Sequence, residues 1–396
     1  MSEKRRDTKN RILQTGESQR KDGRYVYKYV DEFKKSRFVY AWKLVPCDKT
    51  PAGKRDDLSL REKETQIKKD IYDGINSFTK KISVAELYEK YINQNANVTP
   101  NTKDARGYLL KKLKNDVLGS SPIDKVKLAD AKEWVIREQK SGFSYKGIKN
   151  HKRSLSAAFH MALQNDYIRK NPFDFDIRDV IKDNTVGKAA LSKLQQNSLM
   201  DFIKNDSVYS KFYDEIVVFL GTGLRASEVC GLTKNDIDIK ERTITINHQL
   251  LRNSKLGYYI APPKTKSSYR QIYITNKVLL SLKRIMKNHK ETSFEISGYK
   301  DFLFVNKNGK PRTVASYDAL FKRIVSKYKK SNSLELPESV TPHTMRHTFC
   351  TNMANAGMNP KSLQYIMGHS SISMTLNYYS HASYDAAKEE MKRVSA

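Results

Sequence analysis

The chain has 396 residues, with 73 Lys and Arg against 43 Asp and Glu, a net charge of +30 and a pI near 9.7. This length allows two or three domains, each with its own core. A positive excess along the whole chain predicts a polyanionic partner, with nucleic acid favoured over a membrane surface. The alternative is a basic cytosolic protein whose charged faces are only solvated.

Hydropathy and cysteine content exclude other classes of protein. No apolar run is long enough to span a bilayer, and the first residues contain no apolar stretch typical of a signal peptide. Cys47, Cys230 and Cys350 are few and far apart, so no disulfide framework is predicted. We therefore expect a soluble protein of a reducing cytoplasm, not one that lies in a membrane.

Residues 1–80 predict a small antiparallel sheet and a linking helix. Residues 25–30 and 37–42 alternate in polarity near a turn, which is typical of paired strands. Arg24 and Lys28 are then candidate DNA contacts on a strand-based reader. The alternative is that the aromatic residues form a small core and the cations face water. A charged helix is expected from Leu58 to Ile75.

Residues 81–172 predict an all-helical domain. Ser83 and Glu86 have the spacing of a capping box, and the clearest helix runs from Ser144 to about Asn165. One face of that helix is apolar and should be core: Ile148, Leu155, Phe159 and Ala162.

The first turns of the same helix carry cations with no acidic residue among them: Lys146, Lys149, Lys152 and Arg153. Cations at the start of a helix oppose its dipole, so local stability does not explain them. A phosphate partner does, and we predict DNA contacts there.

Residues 173–191 mix charge with little periodicity and predict a linker. A third domain, 192–396, begins at a plausible N-cap, Ser192. It reads as helix-rich with a small sheet, whose expected strands are 243–246, 258–260, 271–274 and 302–305. Residues 384–396 read as a short amphipathic tail helix. The predicted fold class is a multidomain α+β protein.

Arg225 lies in the segment Gly221-Thr-Gly-Leu-Arg-Ala-Ser-Glu228. No Gly-Lys-Ser/Thr follows the glycines, so a Walker phosphate loop is excluded. The segment predicts a turn between two helices. An arginine at a helix start can bind a phosphate bidentately, and an ion pair with Glu228 is the other interpretation.

His343 and Arg346 are three residues apart on a helix expected after Thr341-Pro342, and they share a face. His347 is four residues from His343, which raises the question of a metal. The zincin Glu is missing from this spacing, so no metal site is predicted.

The next helix should begin at Asn359-Pro360 and end at Gly368, which leaves His369 at a helix end facing a cleft. Tyr378 and Tyr379 follow on what reads as another short helix. Adjacent helical positions point about 100° apart, so one tyrosine can pack while the other faces the cleft. The pattern does not say which.

Lys264 and Lys266 lie in a basic turn between two expected strands. This is either an ordinary hairpin tip or a flexible proton donor for a leaving oxygen.

Together these motifs resemble the tyrosine recombinase (phage-type integrase) family over residues 190–385. The matching segments are GTGLRASEVCGL, PKTKSSYRQI and TPHTMRHTFCTNMANAGMNPKSLQYIMGHSSISMTLNYYSH. The three-part layout resembles integrases of bacterial conjugative transposons. In that subfamily the N-terminal sheet domain binds DNA arms, a helical domain clasps the core site and the C-terminal domain is catalytic.

The resemblance implies a role for each motif. Tyr379, which precedes Ser380-His381, would be the nucleophile, in preference to Tyr378. The remaining implied groups are Arg225 and Arg346 on the phosphate, His343 for proton removal, His369 as a phosphate hydrogen bond, Lys264 (or Lys266) as proton donor and Glu228 as an orienting group.

The resemblance also implies partners and a reaction course. These are double-stranded DNA at core and arm sites, a tetramer on two duplexes, exchange through a Holliday junction, excision as well as integration, and a possible small excision factor. No cofactor or metal is expected. A type IB topoisomerase and a non-catalytic DNA-binding regulator are the rival hypotheses.

Overall fold

The structure, a computed structural model, describes residues 5–30, 36–72, 82–185, 189–289, 294–379 and 391–392. It divides into two compact units, Met1–Thr185 and Val186–Ala396. Each unit is described by itself. Within the described ranges, no helix is both long and apolar enough to cross a membrane.

The predicted N-terminal sheet is present. Strands β1 (Glu17–Gln19), β2 (Tyr25–Val30) and β3 (Ser36–Ala41) are antiparallel in the order β1-β2-β3, followed by helix α1 (Leu60–Tyr72). The expected end of this helix at 75 lies outside the described residues. One face of β2 packs Tyr25, Tyr27 and Tyr29 into the core, while the opposite face exposes Lys28. The core interpretation is therefore confirmed for these three tyrosines, while DNA contact by the exposed face stays a prediction.

The helical region contains α2 (Val84–Gln94), α3 (Pro100–Lys114), α4 (Val117–Ser120), α5 (Leu128–Lys140) and α6 (Tyr145–Gln164). The capping box of Ser83 and Glu86 is confirmed, as is the N-cap Ser144 of α6. The four apolar positions predicted on α6 are fully buried. Burial of such a stripe is what stabilises an amphipathic helix in a protein.

The predicted linker of 173–191 is too long. Phe173, Ile177 and Ile181 are buried in the helical core, the last two on and beside a short 3-10 helix at Ile177–Asp179. At the other end, Leu191 is buried in the C-terminal core and donates its N–H to Thr348 Oγ1 at 2.9 Å. The apolar spacing was too irregular for the sequence to reveal this packing.

The C-terminal unit contains α7 (Lys193–Asn205), α8 (Tyr213–Thr222), α9 (Ala226–Gly231), α10 (Asn276–Lys287), α11 (Val314–Ser331), α12 (Pro342–Asn355), α13 (Pro360–Met367) and α14 (Ile372–Leu376). Its strands are β4 (Ile237–Asp238), β5 (Thr243–Ile246), β6 (Gln249–Asn253), β7 (Gly257–Ala261) and β8 (Arg270–Tyr273). The helices surround two small antiparallel sheets, β4-β5-β8 and β6-β7.

Two expectations about strands are wrong. Residues 302–305 make only isolated bridges, from Phe302 to Thr233 and from Val305 to Pro311. Phe302, Leu303 and Phe304 are all buried, so consecutive side chains pack into the core without a paired ladder. The strands on either side of the basic turn, β7 and β8, belong to different sheets and form no hairpin.

Candidate active site

Arg225 is held at a sharp turn between α8 and α9. Helix α8 ends at Gly223, where φ is 65°, and Arg225 is the N-cap of α9. Its backbone N–H donates to Glu228 Oε2 at 2.8 Å, and its guanidinium donates to Glu228 Oε1 at 2.7 Å. A Cβ on Gly223 would lie 2.4 Å from Phe349 Cδ1, so both φ and space require glycine here.

Arg346 lies one turn into α12, whose predicted start at Thr341-Pro342 is confirmed. The residue is only 5 % exposed. Its guanidinium donates to Gly223 O at 2.7 Å and to Met367 O at 2.5 Å. The same turn that presents Arg225 therefore also anchors Arg346.

The C-terminus of α13 binds three arginines. Gly368 ends this helix with φ at 61°, as predicted. The last carbonyls each accept from a different guanidinium: Ile366 from Arg270 at 2.6 Å, Met367 from Arg346, and Gly368 from Arg225 at 2.7 Å. Terminal helix carbonyls lack helical partners and carry the negative end of the dipole, so they stabilise cations.

These arginines leave the site with excess positive charge. Glu228 is 2 % exposed. Burial by itself raises the pKa of Glu228, but hydrogen bonds from Arg270 and the charges of Arg270 and Arg225 outweigh it and lower the pKa. Burial, and then the charge of Arg225, lower the pKa of Arg346 to about 10. Arg225 and Arg270 share the Glu228 carboxylate, whereas Arg346 donates to backbone carbonyls, so positive charge remains to attract an incoming anion.

A pocket of about 590 Å³ opens over this cluster. Its lining includes Arg225, His343, Arg346, His347, His369 and Tyr378. His343 is exposed on the first turn of α12, and its ring centroid is 6.4 Å from that of His347. Two arginines and two histidines predicted from the sequence thus meet in one pocket.

His369 is buried at the end of α13. Its Nδ1 lies 2.9 Å from Thr375 Oγ1. Burial, followed by the charges of Arg346 and Arg225, lowers the pKa of His369 to about 4. The imidazole is therefore neutral at neutral pH and can act as a hydrogen-bonding group without adding charge.

The two tyrosines follow α14 in a turn, so the predicted helix at this point is wrong. Tyr378 lines the pocket, with its ring 4.7 Å from that of His347 and stacked on His369 at 6.4 Å. The Tyr379 hydroxyl donates to the backbone carbonyl of Met358. Burial raises the pKa of both phenols. Ser380 and His381 lie outside the described residues.

Lys264 and Lys266 are exposed in the segment that joins β7 and β8, and neither lines the pocket. The segment is nevertheless tied to the site through Ser268. Its Oγ accepts from Arg225 Nη1 at 3.2 Å and lies 2.9 Å from Thr265 Oγ1. The structure thus places the lysine segment beside Arg225 without bringing an ammonium into the pocket.

The predicted DNA contacts differ in exposure. Lys146, Lys149 and Arg153 are exposed on α6. Lys152 instead packs with its ammonium 4.5 Å from the Phe175 ring centroid, and burial lowers its pKa.

In the sheet domain, Lys28 lies on the exposed face beside Phe38. Arg24 pairs with Asp22 at 2.7 Å and stacks over Tyr40 and Trp42. Cations interleaved with exposed aromatic rings are typical of a nucleic-acid surface.

Sequence reasoning missed Arg270, whose side chain is fully buried against Glu228. The two-residue alternation of a β-strand could have indicated that Arg270 is buried. In β8, Arg270 and Ile272 are two residues apart and both are buried, as alternation on a strand requires. On metals, the described part of the chain contains no group of three or more His, Cys, Asp or Glu side chains that could hold an ion.

Comparisons with known proteins agree with this geometry. Residues 190–386 match the model of the phage integrase family, and residues 1–71 match the DNA binding domain of Tn916 integrase. The chain is 53% identical, over all 396 of its residues and 98% of the relative, to the transposase from transposon Tn916 of Enterococcus faecalis. The same figures describe the transposase from transposon Tn1545 of Streptococcus pneumoniae.

Solved structures of the Tn1549 transposon integrase are also similar. One, with an Arg-to-Lys substitution and circular intermediate DNA, is 54% identical with a TM-score of 0.76, covering 79% of this chain and 99% of that chain. Another, with a Tyr-to-Phe substitution and transposon right end DNA, has the same identity and TM-score and covers 79% of this chain and all of that chain. With these relatives matched along its whole length, the chain belongs to the phage integrase family of tyrosine recombinases.

Proposed function

We propose that the chain is a site-specific DNA recombinase that integrates and excises a conjugative transposon. It cuts and rejoins strands through a 3′-phosphotyrosyl intermediate. The observation that carries the proposal is the cluster of three arginines beneath an open pocket, in which Arg225 and Arg270 bind Glu228 and Arg346 binds the end of α13. The relatives that support it are transposases of Tn916 and Tn1545 and an integrase bound to transposon DNA.

In the proposed cleavage step, the Tyr379 oxygen attacks the scissile phosphorus and the bond to the 5′-oxygen breaks. The phenol proton goes to His343, and Lys264 or Lys266 gives a proton to the departing 5′-oxygen. Arg225, Arg346 and neutral His369 hydrogen-bond the non-bridging oxygens. A preorganised donor of this kind contributes about 3 kcal/mol to lowering the barrier.

Tyr379 must leave the Met358 carbonyl before it can react. In the DNA-free chain its hydroxyl is engaged there, while Tyr378 occupies the pocket wall. We infer that DNA binding or assembly moves residues 377–379 and brings the Tyr379 oxygen to the phosphate. Tyr378 is the alternative nucleophile.

The deciding measurement is covalent adduct formation on a nicked suicide duplex carrying the core site. We expect wild type and Tyr378→Phe to form adducts and Tyr379→Phe to form none. Adducts from Tyr379→Phe but not Tyr378→Phe would assign the reaction to Tyr378. A wild-type chain without adducts on its proper site would favour the regulator hypothesis.

DNA is bound by two further surfaces in this proposal. The exposed face with Arg24 and Lys28 contacts arm sites, and the first half of α6 contacts the core site. For the functional division we propose an arm-binding domain over 1–80, a helical domain from 81 through Ile181 and a catalytic domain from Leu191 to 396, since Ile181 belongs to the helical core and Leu191 to the C-terminal core. The tail 384–396, of which the structure describes residues 391–392, docks on a neighbouring subunit. Exchange then proceeds in a tetramer through a Holliday junction, and a small excision factor sets its direction. A joining assay with two marked duplexes separates this from a topoisomerase.

A further inference from the structure

Arg270 is the most thoroughly bonded arginine of the active site, yet it cannot touch DNA. Its side chain is 0 % exposed. It donates from Nε to Ile366 O at 2.6 Å, from Nη1 to Ser268 O at 2.9 Å and Glu228 Oε1 at 3.2 Å, and from Nη2 to Glu228 Oε2 at 2.9 Å. A buried group with this many directed bonds fixes the relative positions of the elements it joins.

We propose that Arg270 is the positioning residue that sets both phosphate-binding arginines, a role that rests on the proposed function. Arg270 first acts on Arg225 through the carboxylate of Glu228. The two oxygens that Arg270 binds are the ones that accept from the Arg225 backbone N–H and guanidinium. The orientation of Arg225 therefore depends on a carboxylate that Arg270 holds from the other side.

Its second path runs through the end of α13. Arg270 holds the Ile366 carbonyl, and the next two carbonyls bind Arg346 and Arg225. Gly368 supports this path independently, because a Cβ there would lie 2.9 Å from Arg270 Nη1. Only a glycine at this position therefore allows the helix end to approach the guanidinium so closely.

A third contact extends to the segment with the lysines. Arg270 Nη1 donates to the Ser268 carbonyl, and the hydroxyl of the same residue accepts from Arg225 Nη1. The conformation of residues 264–269 is therefore set from the same point. Lysine could keep the charge of Arg270, but it has no planar fork to bind both carboxylate oxygens and Ile366 together.

The test compares three changes in the full chain: Arg270→Lys, Arg270→Met and the charge-matched pair Arg270→Met with Glu228→Gln. Arg284→Met is the control, since Arg284 also binds a carboxylate, Asp214, but its side chain is 51 % exposed. Three quantities are measured: the thermal unfolding midpoint, the affinity for a core-site duplex, and the adduct rate at saturating protein.

We expect Arg270→Lys to keep DNA affinity within about threefold while the adduct rate falls about 100-fold, as for a misplaced catalytic group. Arg270→Met should unfold at lower temperature because it removes one of the two arginines that pair with the buried Glu228 carboxylate and leaves Arg225 as the other. The charge-matched pair should recover the midpoint but not the adduct rate. In an Arg225→Lys background, Arg270→Lys should slow cleavage by clearly less than its effect of about 100-fold in wild type, because the part that acts through Arg225 is already lost and only the part that acts through Arg346 remains.

A purely structural role would be shown if the charge-matched pair recovered both the midpoint and the adduct rate. It would also be shown if the losses of adduct rate caused by Arg225→Lys and Arg270→Lys multiplied in the double variant. If Arg270→Lys cleaves as fast as wild type and Arg284→Met, the Arg270 proposal alone fails. If wild type forms no adduct at all, the proposed function fails and this proposal with it.

Discussion

The phosphate-binding half and the reacting half of the proposed active site are held very differently. Arg225, Arg346 and His369 each have short hydrogen bonds to buried neighbours. Lys264 is exposed on a connecting segment, and the Tyr379 hydroxyl is bonded to the carbonyl of Met358. One half is complete in the DNA-free chain, and the other half is not.

The difference follows from what each half contributes. Electrostatic stabilisation works best when the charged groups need no reorganisation during the reaction. The free energy that it costs to bury these groups is therefore spent during folding and not during catalysis. A nucleophile and a proton donor must approach the substrate atoms closely, and those positions are defined only when DNA is present. A chain that withholds its nucleophile also avoids cutting strands before assembly.

The largest effect should come from removing a cation of the phosphate-binding half. We expect Arg346→Met to slow adduct formation about 10²- to 10³-fold, comparable to losing an oxyanion donor. The measurement is single-turnover cleavage of the suicide duplex at saturating protein. Arg284→Met, which breaks an exposed ion pair, should change the rate little. A loss for Arg346→Met below tenfold would contradict a prebuilt phosphate site.

The reacting half is tested by its lysines. Lys264→Ala should slow cleavage about 100-fold if Lys264 is the proton donor, and Lys266→Ala should then have little effect. A duplex with sulfur in place of the bridging 5′-oxygen needs no proton donor, because a thiolate leaves readily. It should restore the rate of the impaired variant. The opposite ranking of the two variants would assign the role to Lys266, and no rescue by sulfur would remove general acid catalysis by either.

Local signals in the sequence predicted the phosphate-binding half well. Caps and glycine stops act within a few residues, so the starts at Thr341 and Asn359 and the stop at Gly368 could be predicted. The same holds for Arg225 at the start of α9.

Long-range pairing was not predictable in this way. Strand β5 pairs with β8 although the β6-β7 ribbon lies between them in the chain, and nothing local indicates that β7 and β8 do not pair with each other. The direction of Tyr379 depends on the distant Met358 carbonyl, and the burial of Phe173 depends on Trp134 and Phe159. Sequence spacing predicted the candidate reactive groups, but only the fold shows which of them are held by buried hydrogen bonds.

A smaller effect is expected at the helix end shared by the three arginines. Gly368→Ala places a Cβ 2.9 Å from Arg270 Nη1 at a φ of 61°. We expect a loss of about 1–2 kcal/mol in the free energy of unfolding. Because the Gly368 carbonyl holds Arg225, cleavage should also slow about tenfold. Gly142→Ala is a matched control, with positive φ but open space at the Cβ position. Equal cleavage rates for the two variants would show that the helix end does not set the arginines.

The smallest effect is a pH dependence of stability that belongs to His369. Its pKa is lowered to about 4 in the folded chain, from an ordinary value of 6.5, by burial and by Arg346 and Arg225. The unfolded chain therefore binds the proton more readily, so this contribution is present above pH 6.5 and is lost as the pH falls through about 4. It amounts to at most about 3 kcal/mol.

Urea unfolding gives the free energy of unfolding of wild type and of His369→Gln at each pH between 7 and 4. The contribution of His369 is the difference between these two curves. Carboxylates titrate in both chains and cancel in that difference, which should narrow as the pH falls. His160→Gln, at an exposed histidine on α6, should follow wild type throughout. Parallel curves for wild type and His369→Gln would mean that neither burial nor the nearby arginines lower the pKa of His369 in the folded chain. The imidazole would then carry a positive charge in mild acid and would no longer be the neutral hydrogen-bonding group proposed for the phosphate site.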